Sequence, residues 1–146
     1  MTITLTEAVA LVDAALARGR DLNLAPLTVV VLDPGGHMVA LKREDGSGIL
    51  RPEIATGKAW GALSMGMGSR ELGERAAKVP HFINALAAAS HGRVVPVPGG
   101  VLIRNGTALL GAVGVTGDTS DNDEICALAG ISAIGYVGQT GAKLPE

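Results

Sequence analysis

The amino-acid sequence predicts an α+β fold, in which helices flank a five-stranded antiparallel sheet in the order α-ββ-α(α)-βββ-α. Two glycine-containing turns, Asp-Pro-Gly-Gly at residues 33–36 and Asn-Gly at residues 105–106, each lie between apolar runs. This is the pattern of a β-hairpin, which joins neighbouring antiparallel strands. Segments with apolar residues at helical spacing precede, separate and follow the hairpins. Because no repeat or linker interrupts the chain, residues 1–146 are expected to form one domain.

The first half of the chain is predicted to form a helix, a hairpin and further helices. Thr4 and Glu7 have capping-box spacing in front of a helix that is expected to end near residues 18–20, Arg-Gly-Arg. The β-branched run at residues 27–32 is typical of a buried strand. Its hairpin partner is expected at residues 37–42. Two helices are predicted at residues 53–67 and 71–79.

The second half is predicted to hold a short helix, three strands and a last helix. Residues 82–89 have a helical composition between glycine and proline. Asp121 and Glu124 have cap spacing for a helix that runs to about Ile134. The three strands are expected at residues 94–97, 101–104 and 108–115.

Composition and charge exclude several classes of protein. Twelve Lys and Arg against 14 Asp and Glu give a net charge of −2, which provides no basic surface for nucleic acid. Three aromatic residues among 146 provide no stacking platform for single strands. No apolar run reaches the roughly 18 residues of a membrane span. The N-terminus lacks the basic region of a signal peptide, so we expect a cytoplasmic protein.

Four segments carry a family resemblance: VVVLDPGGHMVALKREDGS, ATGKAWGA, VPVPGGVLI and GAVGVTGDTSDNDEICALAGI, in this order. Together they resemble the GlcG/HbpS-like family, which includes haem-binding HbpS proteins, glycolate-utilisation GlcG proteins and the C-terminal domain of PduO-type proteins. The resemblance implies a profilin-like fold and homo-oligomers from a dimer up to an octamer. It also implies haem as a cofactor. A surface Glu-x-x-Glu iron site is a trait of HbpS, and Glu71 and Glu74 have that spacing here.

Histidines are the candidate ligands of a haem iron. His37 follows the first hairpin turn, where the alternative is a turn residue beside Asp33. His81 and His91 bracket the predicted helix at residues 82–89, but their separation does not suit a metal site on one helix. The single Cys126 cannot form a multi-cysteine site, and the sequence predicts no protein-held metal ion.

Basic residues and glycines form a second candidate site, for a carboxylate or a haem propionate. Lys58 lies among small residues that let a ligand approach, with a solvent-exposed lysine as the alternative, and Arg43 and Arg51 flank the preceding loop. The backbone amides of Gly99 and Gly100 are candidates for an anion nest, with a plain turn as the alternative.

Acidic residues before the last helix provide a candidate general base. Asp118 and Asp121 are the catalytic candidates, and a helix cap is the alternative for Asp121. Two functions that involve a small ligand therefore stay open, beside a third in which the protein is a structural subunit whose oligomer assists an unrelated partner enzyme. One is a haem-, tetrapyrrole- or small-ligand-binding protein, and the other is a cofactor-independent enzyme or sensor that acts on a small organic acid in a catabolic pathway. The sequence does not decide whether the protein is an enzyme.

Overall fold

The structure, a computed structural model, describes residues 1–146 and contains five helices and one five-stranded antiparallel sheet. In chain order the elements are α1 (Leu5–Asp21), β1 (Thr28–Leu32), β2 (Met38–Arg43), α2 (Arg51–Met65), α3 (Ser69–Lys78), α4 (Pro80–Ala89), β3 (Gly100–Asn105), β4 (Ala108–Thr116), α5 (Ser120–Ala133) and β5 (Val137–Gln139). The strands are ordered β2-β1-β4-β3-β5 across the sheet. The predicted α+β fold class is confirmed. None of the five helices has the length and hydropathy of a membrane-spanning segment.

One strand of the sheet differs from the prediction. Residues 94–97 are not a strand, because the backbone N–H of Val95 donates to the carbonyl of Gly57 on α2 and Pro96 has no N–H to give a ladder. The fifth strand is instead β5, which pairs with β3 through Leu102 and Gln139. The apolar pattern at residues 94–97 therefore reflects packing against a helix.

Helices cover both faces of the sheet. Helices α1 and α5 pack on the face that carries Val29 and Val113, and α2 packs on the face that carries Val30 and Ala112. The core is built from Ala, Val, Leu and Ile, as the scarcity of aromatic residues requires. Small residues let the layers approach closely.

The two predicted helix caps have different outcomes. The capping box of α1 is confirmed, since Thr4 Oγ1 accepts from Glu7 N at 3.2 Å and Thr4 N donates to Glu7 Oε2 at 2.9 Å. The cap of α5 is Thr119, whose Oγ1 accepts from Asn122 N at 3.3 Å. The expected capping role of Asp121 is wrong, because Asp121 lies inside the first turn of α5.

Candidate functional site

A groove runs along Trp60, a half-buried residue of α2. This helix packs mainly on β1, β3 and β4, so its flank beside the edge strand β2 is left uncovered. Three adjoining cavities of about 370, 190 and 120 Å³ share Trp60 as a lining residue. We call them together the Trp60 groove. The 370 Å³ cavity is lined by Met38, Pro52, Glu53, Thr56, Gly57, Trp60, His91, Gly92 and Arg93.

Arg93 forms the most defined contact in the groove. Its guanidinium carbon lies 4.0 Å from the centre of the Trp60 ring, which is the geometry of a cation–π contact. Its Nε donates to the carbonyl of Ser90 at 2.8 Å, at the end of α4. No carboxylate lies within 4.0 Å of this guanidinium, and its two terminal nitrogens have no partner in the protein.

Two potential iron ligands line the same cavity. His91 follows α4 with a positive φ of 55°, is exposed, and lines the groove beside Gly92. Met38, at the start of β2, is 57% exposed. An imidazole and a thioether are both ligands that haem iron accepts, and Trp60 adds an aromatic surface for a macrocycle. These residue types fit a haem. The volume of 370 Å³ is at the low end of the ~300–1,000 Å³ range of ligand sites, so a haem would extend along the groove.

Lys58, predicted as a ligand-binding residue, is buried in an ion pair. Lys58 is 2% exposed and Asp123 is 1% exposed. Lys58 Nζ donates to Asp123 Oδ2 at 3.0 Å and to the carbonyl of Val115 at 2.9 Å. Burial lowers the pKa of Lys58 and raises the pKa of Asp123, while the attraction between the two charges acts against both shifts. The anion that Lys58 meets is therefore the protein's own carboxylate, and the pair joins α2 to α5 beside the end of β4.

Gly99 and Gly100 lie over this ion pair. Gly99 has a φ of +123°, and a Cβ there would lie 2.6 Å from the backbone carbonyl oxygen of Val115 and 2.9 Å from Lys58 Nζ, so this position requires a glycine. The backbone N–H of Gly100 donates to Ser69 Oγ at 2.7 Å. Since that amide is already bonded within the protein, Gly100 does not present it to an anion.

The two predicted arginines have different partners in the structure. Arg51 Nη1 donates to Thr116 Oγ1 at 2.7 Å, and the positive charge of Arg51 contributes to the lowered pKa of Lys58. Arg43 Nη1 donates to the carbonyl of Ser47 at 2.9 Å. Arg43 also lines a separate charged depression of about 430 Å³. Arg51 thus acts on the charge of Lys58, whereas Arg43 is bonded to the loop before α2.

Both acidic candidates already have partners. Asp118 Oδ2 accepts from Asn122 Nδ2 at 2.8 Å and Oδ1 accepts from Ala25 N at 3.0 Å, and these hydrogen bonds lower the pKa of Asp118. A lowered pKa makes a carboxylate a weaker base. Asp121 pairs with Arg70 at 2.6 Å. These contacts fix the loop before α5 and tie α5 to α3.

The remaining candidates lie outside the Trp60 groove. His37 is exposed and its Nδ1 lies 3.2 Å from Asp33 Oδ1 within the hairpin turn. Glu71 lies 3.6 Å from Arg75 along α3. No cluster of three His, Cys, Asp or Glu side chains has the arrangement of a metal site.

Sequence reasoning considered His91 but missed Trp60, Arg93 and Met38 as site residues. Arg93 belongs to no motif, and its role depends on α4 ending at Ser90 so that the chain returns to α2. The available signal was that Trp60 is the chain's only tryptophan and lies on a helix of small residues.

Known proteins with the same architecture place the chain in a family. Residues 3–132 match the family model described as haem degrading protein HbpS-like. An uncharacterised 15.0 kDa protein from the dhaT-dhaS intergenic region of Citrobacter freundii is 29% identical over 126 residues, which cover 86% of this chain and 87% of that protein. The corrinoid adenosyltransferase PduO of Citrobacter freundii is 28% identical over 134 residues, which cover 92% of this chain but 39% of PduO.

A solved structure agrees with this assignment. The crystal structure of a PduOC:haem complex has a TM-score of 0.84 to this chain and 26% sequence identity, and the match covers 93% of this chain and 97% of that one. The match of the family model extends over nearly the whole domain, from α1 to α5. The chain therefore belongs to the HbpS-like family.

Proposed function

We propose that the protein binds haem or a related tetrapyrrole in the Trp60 groove. The observation that carries the proposal is that His91, Met38 and Trp60 line one open cavity. A related fold has been crystallised with haem, and the family is described by haem degradation, which supports this ligand class. The groove is open at its side, so a macrocycle can enter without unfolding the sheet.

His91 is the residue that we expect to hold the iron. His91 lines the cavity, whereas His37 does not and is bonded to Asp33. When bound, haem supplies an iron that an imidazole ligates. Met38 and Trp60 would contact the macrocycle and exclude water from one side of it.

A titration with haemin tests this proposal. We expect a Soret band that saturates, and we expect His91→Ala to shift the band and weaken binding by about tenfold or more, equal to about 1.4 kcal/mol. His37→Ala and His81→Ala are matched controls and should leave the spectrum unchanged. An absent Soret band in the wild type would contradict the function, and a spectrum altered only by His37→Ala would contradict the site.

A small organic acid is the second candidate ligand. The observation that favours it is Arg93, whose guanidinium lies beside a 370 Å³ cavity without a carboxylate partner. If the protein fails to bind haemin but is thermally stabilised by hydroxy- or keto-acids, it is a sensor of small organic acids or an enzyme that acts on them. This cavity, and not the buried Lys58, is where such an acid would bind.

We also propose that the protein forms homo-oligomers in which α4 packs against a second copy. Helix α4 has no Asp, Glu, Lys or Arg, and only Ile83 among its residues is buried. Phe82 in the helix and Val79 before it are 44% and 53% exposed. Within the chain it packs on α3 alone. An apolar helix face that is left in water marks an interaction surface, and its lack of charge lets two identical copies meet without repulsion.

Phe82→Glu is expected to lower the oligomeric mass measured by light scattering, because it places a charge in the proposed contact. Ile49→Glu is the matched control, since Ile49 is an exposed apolar residue in the loop before α2. An unchanged mass for Phe82→Glu, or dissociation by Ile49→Glu alone, would show that α4 is not the contact surface.

A further inference from the structure

We propose that Arg93 and Trp60 together recognise a carboxylate-bearing edge of a planar ring, so that the groove selects its ligand by carboxylate and ring and not by the metal. This inference rests on the proposed tetrapyrrole function and names its recognition chemistry. It predicts that a metal-free porphyrin with free propionates binds, and that the same ring without free carboxylates does not bind well.

Arg93 is held in position before any ligand arrives. One nitrogen, Nε, is bonded to the carbonyl of Ser90 at 2.8 Å, and the guanidinium lies 4.0 Å from the Trp60 ring. The two terminal nitrogens remain available, and together they form the fork that binds a carboxylate through two parallel hydrogen bonds. Because stacking and the Ser90 contact already restrict the side chain, little further conformational freedom is lost on binding.

The charges around Arg93 favour an external carboxylate. Three arginines of the chain have a carboxylate partner, namely Arg20, Arg70 and Arg75, and Arg93 does not. Glu53 lines the same cavity but forms no ion pair with Arg93. Arg93 therefore has no ion-pair partner within the protein.

The same two residues separate the cavities of the groove. Both Arg93 and Trp60 line the 370 Å³ cavity and the 190 Å³ cavity, which has apolar walls that include Met65 and Leu86. A ring that is too large for one cavity and spans both must contact this stacked pair. A planar aromatic ligand suits this position because it can lie along this stacked pair while its carboxylate reaches the guanidinium.

The fluorescence of Trp60 provides a direct readout, since it is the only tryptophan in the chain. The titrations use protoporphyrin IX, its dimethyl ester and haemin, each in the same dilute detergent. We expect the free acid to quench Trp60 with an affinity within about threefold of haemin, and the ester to bind about tenfold or more weakly than the acid. Arg93→Gln should remove the difference between acid and ester, and Arg93→Lys should retain only part of it.

Arg75→Gln is the matched control, because Arg75 is an arginine of α3 outside the groove. It should retain the full preference for the acid. Equal binding of acid and ester by the wild type, or an unchanged preference in Arg93→Gln, would overturn the inference. Binding of haemin without binding of protoporphyrin IX would also overturn the inference, but it would leave the proposed haem function intact. If none of the three ligands bound, the proposed function itself would be wrong.

Discussion

Replacing Lys58 with methionine is expected to lower the free energy of unfolding by about 3–5 kcal/mol, the range for breaking one side of a buried ion pair. The substitution keeps most of the side-chain volume and removes the ammonium group. Asp123, 1% exposed, would then have lost the cation that lies 3.0 Å from its Oδ2. The remaining hydrogen bond to Asp123 Oδ1, from the backbone N–H of Asp118 at 3.0 Å, cannot replace a full charge. Urea unfolding measures the loss.

Lys42→Met is the matched control for this substitution. Lys42 pairs with Asp13 at 2.7 Å, but both side chains are about half exposed, and such pairs contribute about 1 kcal/mol or less. The double variant Lys58→Met with Asp123→Leu should regain much of the stability that Lys58→Met loses, because it leaves no unpaired charge in the interior. Burial already disfavours both charges, since it lowers the pKa of Lys58 and raises the pKa of Asp123. A loss for Lys58→Met no larger than that for Lys42→Met would show that the pair is solvated.

Local chemistry made the hairpins and the first helix predictable. A few neighbouring residues determine the conformation of the Asp-Pro-Gly-Gly and Asn-Gly turns and of the capping box of Thr4 and Glu7. The strand β5 was missed because its three residues include a glycine and show no alternation of apolar and polar side chains. Its pairing with β3 depends on residues more than thirty positions away in the sequence.

The candidate site was less predictable, because long-range contacts form it. The sequence indicated that Lys58 meets an anion or water, yet it could not identify Asp123, 65 positions away, as that anion. The sequence makes Asp118 and Asp121 candidate bases, but it does not reveal Ala25 and Arg70, which bind them from distant positions in the chain. Arg93 could not be identified as a site residue from the sequence, because its contact with Trp60 depends on the path of α4 and the turn that follows it.

Gly114→Ala is expected to destabilise the fold by about 3 kcal/mol or more, at the upper end of the cost of overpacking. Gly114 lies on β4 where α2 crosses the sheet, and a Cβ at this position would overlap the backbone carbonyl oxygen of Ala55. A side chain could rotate away from such an overlap, but a helix carbonyl cannot move alone. Helix α2 must therefore shift as a unit, which also disturbs Ala59 and the other small residues packed beneath it.

Gly141→Ala is the matched control for Gly114→Ala, since a Cβ at Gly141 would meet no atom within 4 Å. Its stability in urea should stay within about 0.5 kcal/mol of the wild type. Because Trp60 lies on α2, the movement that Gly114→Ala imposes should also change the Trp60 emission of the folded protein, whereas Gly141→Ala should not. Wild-type stability and emission in Gly114→Ala would mean that α2 does not lie on β4 at this depth, and the Trp60 groove beside it would then have a different shape.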